Sequence, residues 1–154
     1  MKSINVESAP RGKVVIATKN YLPGELILEE KPLMVVPKEY IDSFEKFDVP
    51  YDVMCNWANY TWFQSKLTTE RQAKVLALFE LTTCKEADRL RRMADRIVLY
   101  EPNGDQRSLT LSEIDMLVKL TRIMKRDTFP MRGDQILYSE MTNFAHSCDA
   151  NCHF

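Results

Sequence analysis

Both histidines and two of the four cysteines of this 154-residue chain fall near its end, in a segment that reads Leu137-Tyr138-Ser139-Glu140-Met141-Thr142-Asn143-Phe144-Ala145-His146-Ser147-Cys148-Asp149-Ala150-Asn151-Cys152-His153-Phe154. Imidazole nitrogen and thiolate sulfur are ligands that zinc prefers, although closed zinc sites usually combine two such clusters separated by a loop. One interpretation is therefore a small zinc-binding α+β domain that uses His146, Cys148, Cys152 and His153. A nucleophilic pair of Cys148 and His146 is the weaker hypothesis, because the sequence identifies neither an orienting third group nor an oxyanion site.

The opposite end of the chain has the residue pattern of β structure. Val14-Val15-Ile16-Ala17-Thr18 is rich in β-branched residues, and Glu25-Leu26-Ile27-Leu28-Glu29 is a second short run of strand character. Between them, Pro23 and Gly24 favour a type II turn, because proline presets φ and glycine accepts the positive φ that follows. We therefore predict a β-hairpin, followed by a proline-bracketed edge strand over residues 33–36.

The middle of the chain, from about residue 51 to about residue 126, has helical periodicity. Thr69-x-x-Gln72 and Thr110-x-x-Glu113 both have the capping-box pattern, in which the two side chains satisfy each other's backbone N–H groups. We therefore predict helices that begin at Thr69 and at Thr110. A further apolar stripe between Ala87 and Ile97 predicts a third helix, which the turn at Glu101–Asp105 ends.

The helical block contains two cysteines and an aromatic-rich segment that invite a functional interpretation: Cys55, Cys84, Tyr51, Trp57, Tyr60, Trp62 and Phe63. A buried cysteine inside a helix usually behaves as a small apolar residue. The aromatic side chains would suit a methyl-lysine cage, but they are also typical of a helix that packs into a core. We predict core packing for both groups.

Three segments together resemble the SET domain. Ala145-His146-Ser147-Cys148 and its surroundings are similar to the family's Asn-His-Ser-Cys signature, and residues 11–33 are similar to its opening hairpin. Residues 123–131 resemble the segment that precedes the signature in the SMYD-like and fungal SET proteins, which carry a helical insert. The resemblance covers almost the whole chain, strongly at both ends and loosely over residues 40–120.

The resemblance implies an α+β fold of the SET type, with an N-terminal β-hairpin in residues 10–37 and a helical insert in residues 40–127. The signature would occupy residues 128–154 of one incomplete domain spanning 1–154. The last part of the SET domain, with the tyrosine that lines the lysine channel, is missing from this sequence, which we interpret as a truncated and divergent SET domain. No catalytic residue is therefore assigned.

The function implied by this resemblance is S-adenosylmethionine-dependent methylation of a lysine in a protein substrate, with histones as one class of substrate. The reaction is an in-line methyl transfer to a deprotonated amine, which depends mainly on positioning and electrostatics. We expect zinc only where a later cysteine cluster exists. The positions that match the family's contacts are Arg11, Gly12, Lys13, Ala145 and His146 for the cofactor and Cys148 for zinc.

Four substitutions distinguish this sequence from the family pattern. Val14 replaces a glycine whose backbone approaches the ligand, and Ala145 replaces the amide of the signature asparagine. Asp127 stands where relatives commonly have asparagine, and Ala150 replaces a proline. Whether the chain is an enzyme therefore stays open, and the alternative is a non-catalytic SET fragment that acts as a protein-binding module.

The charge balance limits the classes of partner. The chain has 21 Lys and Arg residues against 22 Asp and Glu residues, a net charge of −1, which argues against nucleic-acid binding by bulk electrostatics. Its basic residues alternate with acidic ones, so we interpret them as solvated helix faces. No apolar run approaches the ~20 residues of a membrane-spanning helix, and the first residues lack the apolar core of a secretory signal. We expect an intracellular protein, nuclear or cytoplasmic, with no membrane partner.

Overall fold

Most of the strands lie before or after a mainly helical middle, which itself contains one small pair of strands. A computed structural model describes residues 4–9, 12–79, 84–100 and 105–144, with the backbone alone at positions 9, 12, 13 and 100. The strands are β1 (Ile4–Ala9), β2 (Gly12–Ala17), β3 (Met34–Val36), β4 (Val98–Tyr100), β5 (Gln106–Ser108), β6 (Thr128–Met131) and β7 (Asp134–Leu137). The helices are α1 (Lys38–Asp42), α2 (Tyr51–Lys66), α3 (Thr69–Leu76), α4 (Lys85–Arg92) and α5 (Leu111–Asp127), with 3-10 turns at Ala94–Arg96 and Met141–Asn143. The fold is α+β, as predicted.

The N-terminal hairpin differs from the predicted one in its partner strand. β2 pairs with β1, which precedes it, in an antiparallel register from Ile4 opposite Ala17 to Ala9 opposite Gly12. The predicted strand over residues 25–29 is wrong, because that segment has no regular secondary structure. Three consecutive apolar residues gave it strand character, but β2 pairs with β1 instead.

The turn between residues 22 and 25 is confirmed. Glu25 donates its backbone N–H to the Leu22 carbonyl at 3.0 Å, and Gly24 has a φ of 82°. The Glu25 carboxylate accepts the Leu22 N–H at 3.1 Å and also contacts the Lys19 ammonium.

A three-stranded antiparallel sheet joins the two ends of the chain. Its strand order is β3-β7-β6, so β3 is an edge strand, as predicted. A two-residue turn connects β6 to β7, with φ values of 54° at Arg132 and 95° at Gly133. Glycine is favoured at position 133 because this φ is strained for other residues, and a Cβ there would also lie 2.6 Å from Cδ of Lys38. Asp134 then accepts the N–H of Lys38 at 2.9 Å and so fixes the start of α1 on the sheet.

The main core lies between α2, α5 and this sheet. Its largest fully buried side chains include Trp57, Tyr60 and Phe63 from α2, and burial raises the pKa of Tyr60 to about 12. Tyr51, at the start of α2, is 71% exposed and lies outside the core. Core packing is therefore confirmed for most of the aromatic segment. Cys55 and Cys84 are buried free thiols, as predicted.

A small third sheet was not predicted. β4 pairs antiparallel with β5, with Val98 opposite Ser108. Each strand has three residues, too few to show a period of two in the sequence. Four residues of the turn predicted between these strands, 101–104, lie outside the described residues.

The basic helix faces are solvated, as predicted. Exposed ion pairs join α4 to α2 and α5, with N–O distances of 3.0 or 3.1 Å: Arg89–Asp52, Arg91–Asp115 and Lys125–Glu86. In the described part of the chain, no helix has the length and apolar character required to cross a membrane.

The capping box at the start of α5 is confirmed. Thr110 is the N-cap, its hydroxyl accepts the Glu113 N–H at 3.3 Å, and the Glu113 carboxylate accepts the Thr110 N–H at 2.8 Å. Arg107 of β5 adds two hydrogen bonds to the same carboxylate, of 2.6 and 2.7 Å. These bonds from Arg107 outweigh desolvation and, with Thr110, lower the pKa of Glu113 from 4.5 to about 2.

The cap of α3 lies one residue earlier than predicted. Thr68, not Thr69, is the N-cap, and its side chain accepts the Arg71 N–H at 3.4 Å. Gln72 does not reach back to the cap; its amide nitrogen donates to the Phe63 and Leu67 carbonyls at the end of α2, at 3.0 and 3.3 Å. Either of the two adjacent threonines could have been the N-cap. Thr68 is the N-cap in the structure, because Gln72 bonds to the end of α2 and is not available for a capping box with Thr69.

The two threonines provide a test of this cap. Thr68→Ala should lower the free energy of unfolding by about 1 kcal/mol, because it removes the N-cap acceptor. Thr69→Ala should change it by less than about 0.5 kcal/mol, because an exposed helical position tolerates alanine. Urea denaturation of both variants measures the difference, and a larger loss in Thr69→Ala would contradict the assigned cap.

The pKa of Glu113 predicts a pH-dependent contribution to stability. Because its folded pKa is lowered, Glu113 stabilises the native state fully above pH 4.5 and loses this effect as the pH falls towards 2. Glu113→Gln should therefore be less stable than the wild-type chain at neutral pH, by about 1 kcal/mol for this partly exposed pair. Urea denaturation between pH 4.5 and pH 2 should show that the difference in unfolding free energy between the two proteins decreases as the pH falls. A constant difference, or an equal effect of the exposed Glu29→Gln control, would contradict the assignment.

Candidate functional site

A surface groove lies where the N-terminal hairpin, the end of α3 and the segment after β7 meet. Its volume is about 450 Å³, within the range of ~300–1,000 Å³ typical of small-molecule sites. We call it the hairpin groove. It is lined by Val6, Glu7 and Ser8 of β1, by Lys74, Ala77 and Leu78, and by Ser139, Glu140 and Asn143.

The hairpin groove combines carboxylates, hydroxyl groups and a small apolar surface. Glu7 and Glu140 supply the carboxylates, and Ser8 and Ser139 supply the hydroxyls. The Lys74 ammonium donates to Glu70 at 2.7 Å, and this contact lowers the pKa of the Glu70 carboxyl. The groove is therefore suited to a ligand that carries both a cationic group and hydroxyl groups.

The wall formed by residues 139–144 is a tight turn, which we call the 139–144 turn. Asn143 donates its side-chain nitrogen to the Ser139 and Glu140 carbonyls at 3.1 and 3.2 Å, and Thr142 donates its hydroxyl to Ser139 at 3.0 Å. The Glu30 carboxylate accepts backbone N–H groups at the other end of this turn. Side chains thus hold the turn at both of its ends.

The structure brings an N-terminal strand and a C-terminal turn of the described residues together near this groove. β2, which begins at Gly12, contacts the 3-10 turn at Met141–Asn143. Gly12 and Lys13 lie at the start of β2, with Gly12 opposite Ala9 and Lys13 opposite Ser8. Two of the expected cofactor contacts therefore have their backbone beside a strand that lines the groove.

The other expected site residues lie outside the described residues. These are Arg11, Ala145 and His146 for the cofactor and Cys148 for zinc, together with Cys152 and His153 of the alternative zinc site. Among the residues that the structure describes, no group of three or more His, Cys, Asp or Glu side chains could hold a metal ion. The last described residue, Phe144, directly precedes Ala145, so the signature-like segment continues from the 139–144 turn.

Asp127, the residue that stands in place of a family asparagine, is buried at the end of α5. Its carboxylate accepts two hydrogen bonds of 2.6 Å from the neighbouring Arg126, and only 4% of its side chain is exposed. Arg126 also donates to the carbonyl of Leu78, a groove residue, at 2.6 Å. Arg126 thus pairs with the charge of the Asp127 carboxylate and also bonds to the backbone of a residue that lines the groove.

Several groove residues were not predicted as site residues. Ser139 and Asn143 lay within the quoted end segment, where Ser, Thr and Asn at close spacing are typical of a turn held by side-chain hydrogen bonds. Glu30, which does not line the groove but holds the 139–144 turn, lay within residues 11–33, the N-terminal segment that resembles the SET hairpin. The sequence around Lys74 and Leu78 does not indicate a binding site, because their position in the groove depends on how α3 packs.

A second groove lies on another face of the molecule. Its volume is about 340 Å³, and its walls come from the loop after α1, from α2 and from the β4–β5 sheet. The rings of Phe47 and Trp57 are 4.4 Å apart at one wall, and Arg96 donates to the Asp48 carbonyl at 2.7 Å. Gly12 and Lys13, the expected site residues within the described part of the chain, are not among the residues that line it.

No protein-family model matches this sequence, and none of the curated proteins compared with it matches. Any functional assignment of the chain therefore depends on its residues and on the geometry of the hairpin groove.

The Arg126–Asp127 pair should contribute strongly to stability. Arg126→Met leaves the buried Asp127 carboxylate without these two bonds, so we expect a loss of about 3 kcal/mol, the lower end for breaking a buried pair, because Arg126 is partly exposed. Lys125→Met is the matched control, since it removes an exposed pair worth less than about 1 kcal/mol. Chemical denaturation compares the two variants, and equal losses would contradict a special role for the buried pair.

Proposed function

We propose that this chain forms the cofactor-binding part of a SET-type protein-lysine methyltransferase and that S-adenosylmethionine binds in the hairpin groove. The observation that carries the proposal is the contact of β2 with the 3-10 turn at Met141–Asn143. These two elements lie at opposite ends of the sequence, and each belongs to one of the two segments that resemble the SET family. Their meeting beside a groove of suitable volume supports a shared binding site.

The residues of the groove fit the chemistry of this cofactor. Carboxylates such as Glu7 and Glu140 complement a sulfonium or an amino group, and the hydroxyls of Ser8 and Ser139 can bond ribose oxygens. The backbone at Gly12 and Lys13 would lie along the ligand. When bound, S-adenosylmethionine supplies a methyl group that an amine displaces in line.

The proposed acceptor is a lysine of a protein substrate, with histones as one class. In such a reaction the protein excludes water and orients the amine. Among the described residues, Glu7 and Glu140 would also attract a cationic lysine-rich segment towards the groove. We assign no catalytic residue to this chain.

A second candidate function is a non-catalytic protein-binding module. Apolar side chains are exposed along the N-terminal region, with Leu22 77% and Leu26 70% exposed, and Val6 and Ile16 about half as much. Surface apolar residues of this kind are typical of protein contacts when they form a patch. Binding of S-adenosylmethionine distinguishes the methyltransferase function from the protein-binding module, because the module requires no cofactor.

Cofactor binding can be measured on the 154-residue chain by isothermal titration calorimetry with S-adenosylmethionine. We expect saturable binding, and a ligand concentration of ~100 times Kd should add about 2.7 kcal/mol to the free energy of unfolding. Ser8→Trp places a bulky side chain in the hairpin groove and should weaken binding at least about tenfold, because a clash of about 1.4 kcal/mol has that effect.

Lys46→Trp is the matched control, since Lys46 lines the second groove. It should bind the cofactor as the wild-type chain does. Absence of binding by the wild-type chain would exclude the cofactor function and favour the protein-binding module. Loss of binding in Lys46→Trp but not in Ser8→Trp would move the site to the second groove.

A further inference from the structure

One carboxylate holds the start of the 139–144 turn. Glu30 accepts the N–H of Ser139 at 2.7 Å and the N–H of Met141 at 3.0 Å, and both of its oxygens lie 3.0 Å from the N–H of Glu140. These partners are 109 to 111 positions away in the sequence. Hydrogen bonds to an ionised acceptor are stronger than neutral ones, and three neighbouring N–H groups form a concave site for an anion.

This contact extends the pairing of β3 with β7. The Leu33 N–H donates to the Leu137 carbonyl at 2.8 Å, directly before the first residue of β3. Glu30 lies three residues before Leu33, and Ser139 lies two residues after Leu137. Backbone pairing and then a side chain therefore join the same two segments, from the sheet to the edge of the hairpin groove.

The residues that Glu30 holds form one wall of the hairpin groove. Ser139 and Glu140 both line it, and their N–H groups donate to Glu30. Asn143 lines it too, and its side chain is bonded to the carbonyls of the same two residues. The position of all three groove residues thus depends on where the start of the turn lies.

We propose that Glu30 is a positioning residue for the hairpin groove: its carboxylate fixes the 139–144 turn and so sets the wall against which S-adenosylmethionine binds. This inference rests on the proposed function. It assigns to Glu30 no contact with the cofactor. Its effect passes through the backbone N–H groups of Ser139, Glu140 and Met141.

Amide hydrogen exchange tests the positioning role without any cofactor. In Glu30→Gln, the amides of Ser139, Glu140 and Met141 should exchange about tenfold faster than in the wild-type chain, because a neutral amide is a weaker acceptor than a carboxylate. Amides of α5 serve as an internal reference for global opening and should keep their rates. Glu29→Gln is the matched control, since it makes the same charge change at an exposed neighbour.

Calorimetric titration of the same three proteins with S-adenosylmethionine then tests the link to the groove. Glu30→Gln should bind about tenfold more weakly than the wild-type chain, and Glu29→Gln should bind equally well. Unchanged exchange of the turn amides in Glu30→Gln would overturn the positioning role. Equal acceleration of the α5 amides would also overturn it, because Glu30 would then support global stability only.

The positioning role of Glu30 and the binding of S-adenosylmethionine in the hairpin groove can be contradicted independently. Faster exchange of the turn amides with unchanged cofactor affinity would show that the turn is not part of the cofactor site. Absence of binding by the wild-type chain would remove the proposed function and the cofactor role of Glu30 together. The exchange rates alone would then decide whether Glu30 holds the turn.

Discussion

Packing of α2 against α5 is the constraint on which the rest of the structure depends. Helix α2 contacts both α5 and β3, and α5 runs directly into β6 at Thr128. The helix pair therefore determines where the β3-β7-β6 sheet can form, since β3 precedes the helical block in the sequence and β6 and β7 follow it. The sheet in turn brings Glu30 and the 139–144 turn within hydrogen-bonding distance. Replacement of a large core residue such as Trp57 would consequently disturb the groove from a distance.

Local chemistry accounts for the features that the sequence predicted well. The capping box of Thr110 and Glu113 involves residues three positions apart, and the turn at residues 22–25 depends on one proline and one glycine. Both can be recognised in a short window because their partners lie inside that window. The N-cap of α3 could not be predicted in this way, because the choice between Thr68 and Thr69 depends on the contact of Gln72 with α2.

Pairing between distant segments accounts for what the sequence could not predict. Residues 25–29 have strand character, yet β2 pairs with β1, and nothing within either segment encodes that preference. The hairpin groove could not be predicted for the same reason, because Lys74 and Ser139 line one groove only after the helical block has packed. The resemblance to SET domains predicted that Arg11, Gly12 and Lys13 share a cofactor with Ala145 and His146. Of these regions, the structure shows β2 in contact with the 3-10 turn at Met141–Asn143. Arg11, Ala145, His146 and Cys148 lie outside the described residues, so their assignments stay predictions.

The long span between Glu30 and its partners has a consequence for the order of folding. Helices α2 to α5 are formed by contacts within the helical block, whereas the β3–β7 pair and the Glu30 contact close a loop of more than a hundred residues. Closing so long a loop is entropically unfavourable until the intervening chain has become compact, so we expect these contacts to form late. During synthesis, Glu30 leaves the ribosome long before Ser139 has been made. The hairpin groove is therefore among the last parts of the molecule to exist, and a nascent chain can have a folded helical core while it still has no groove.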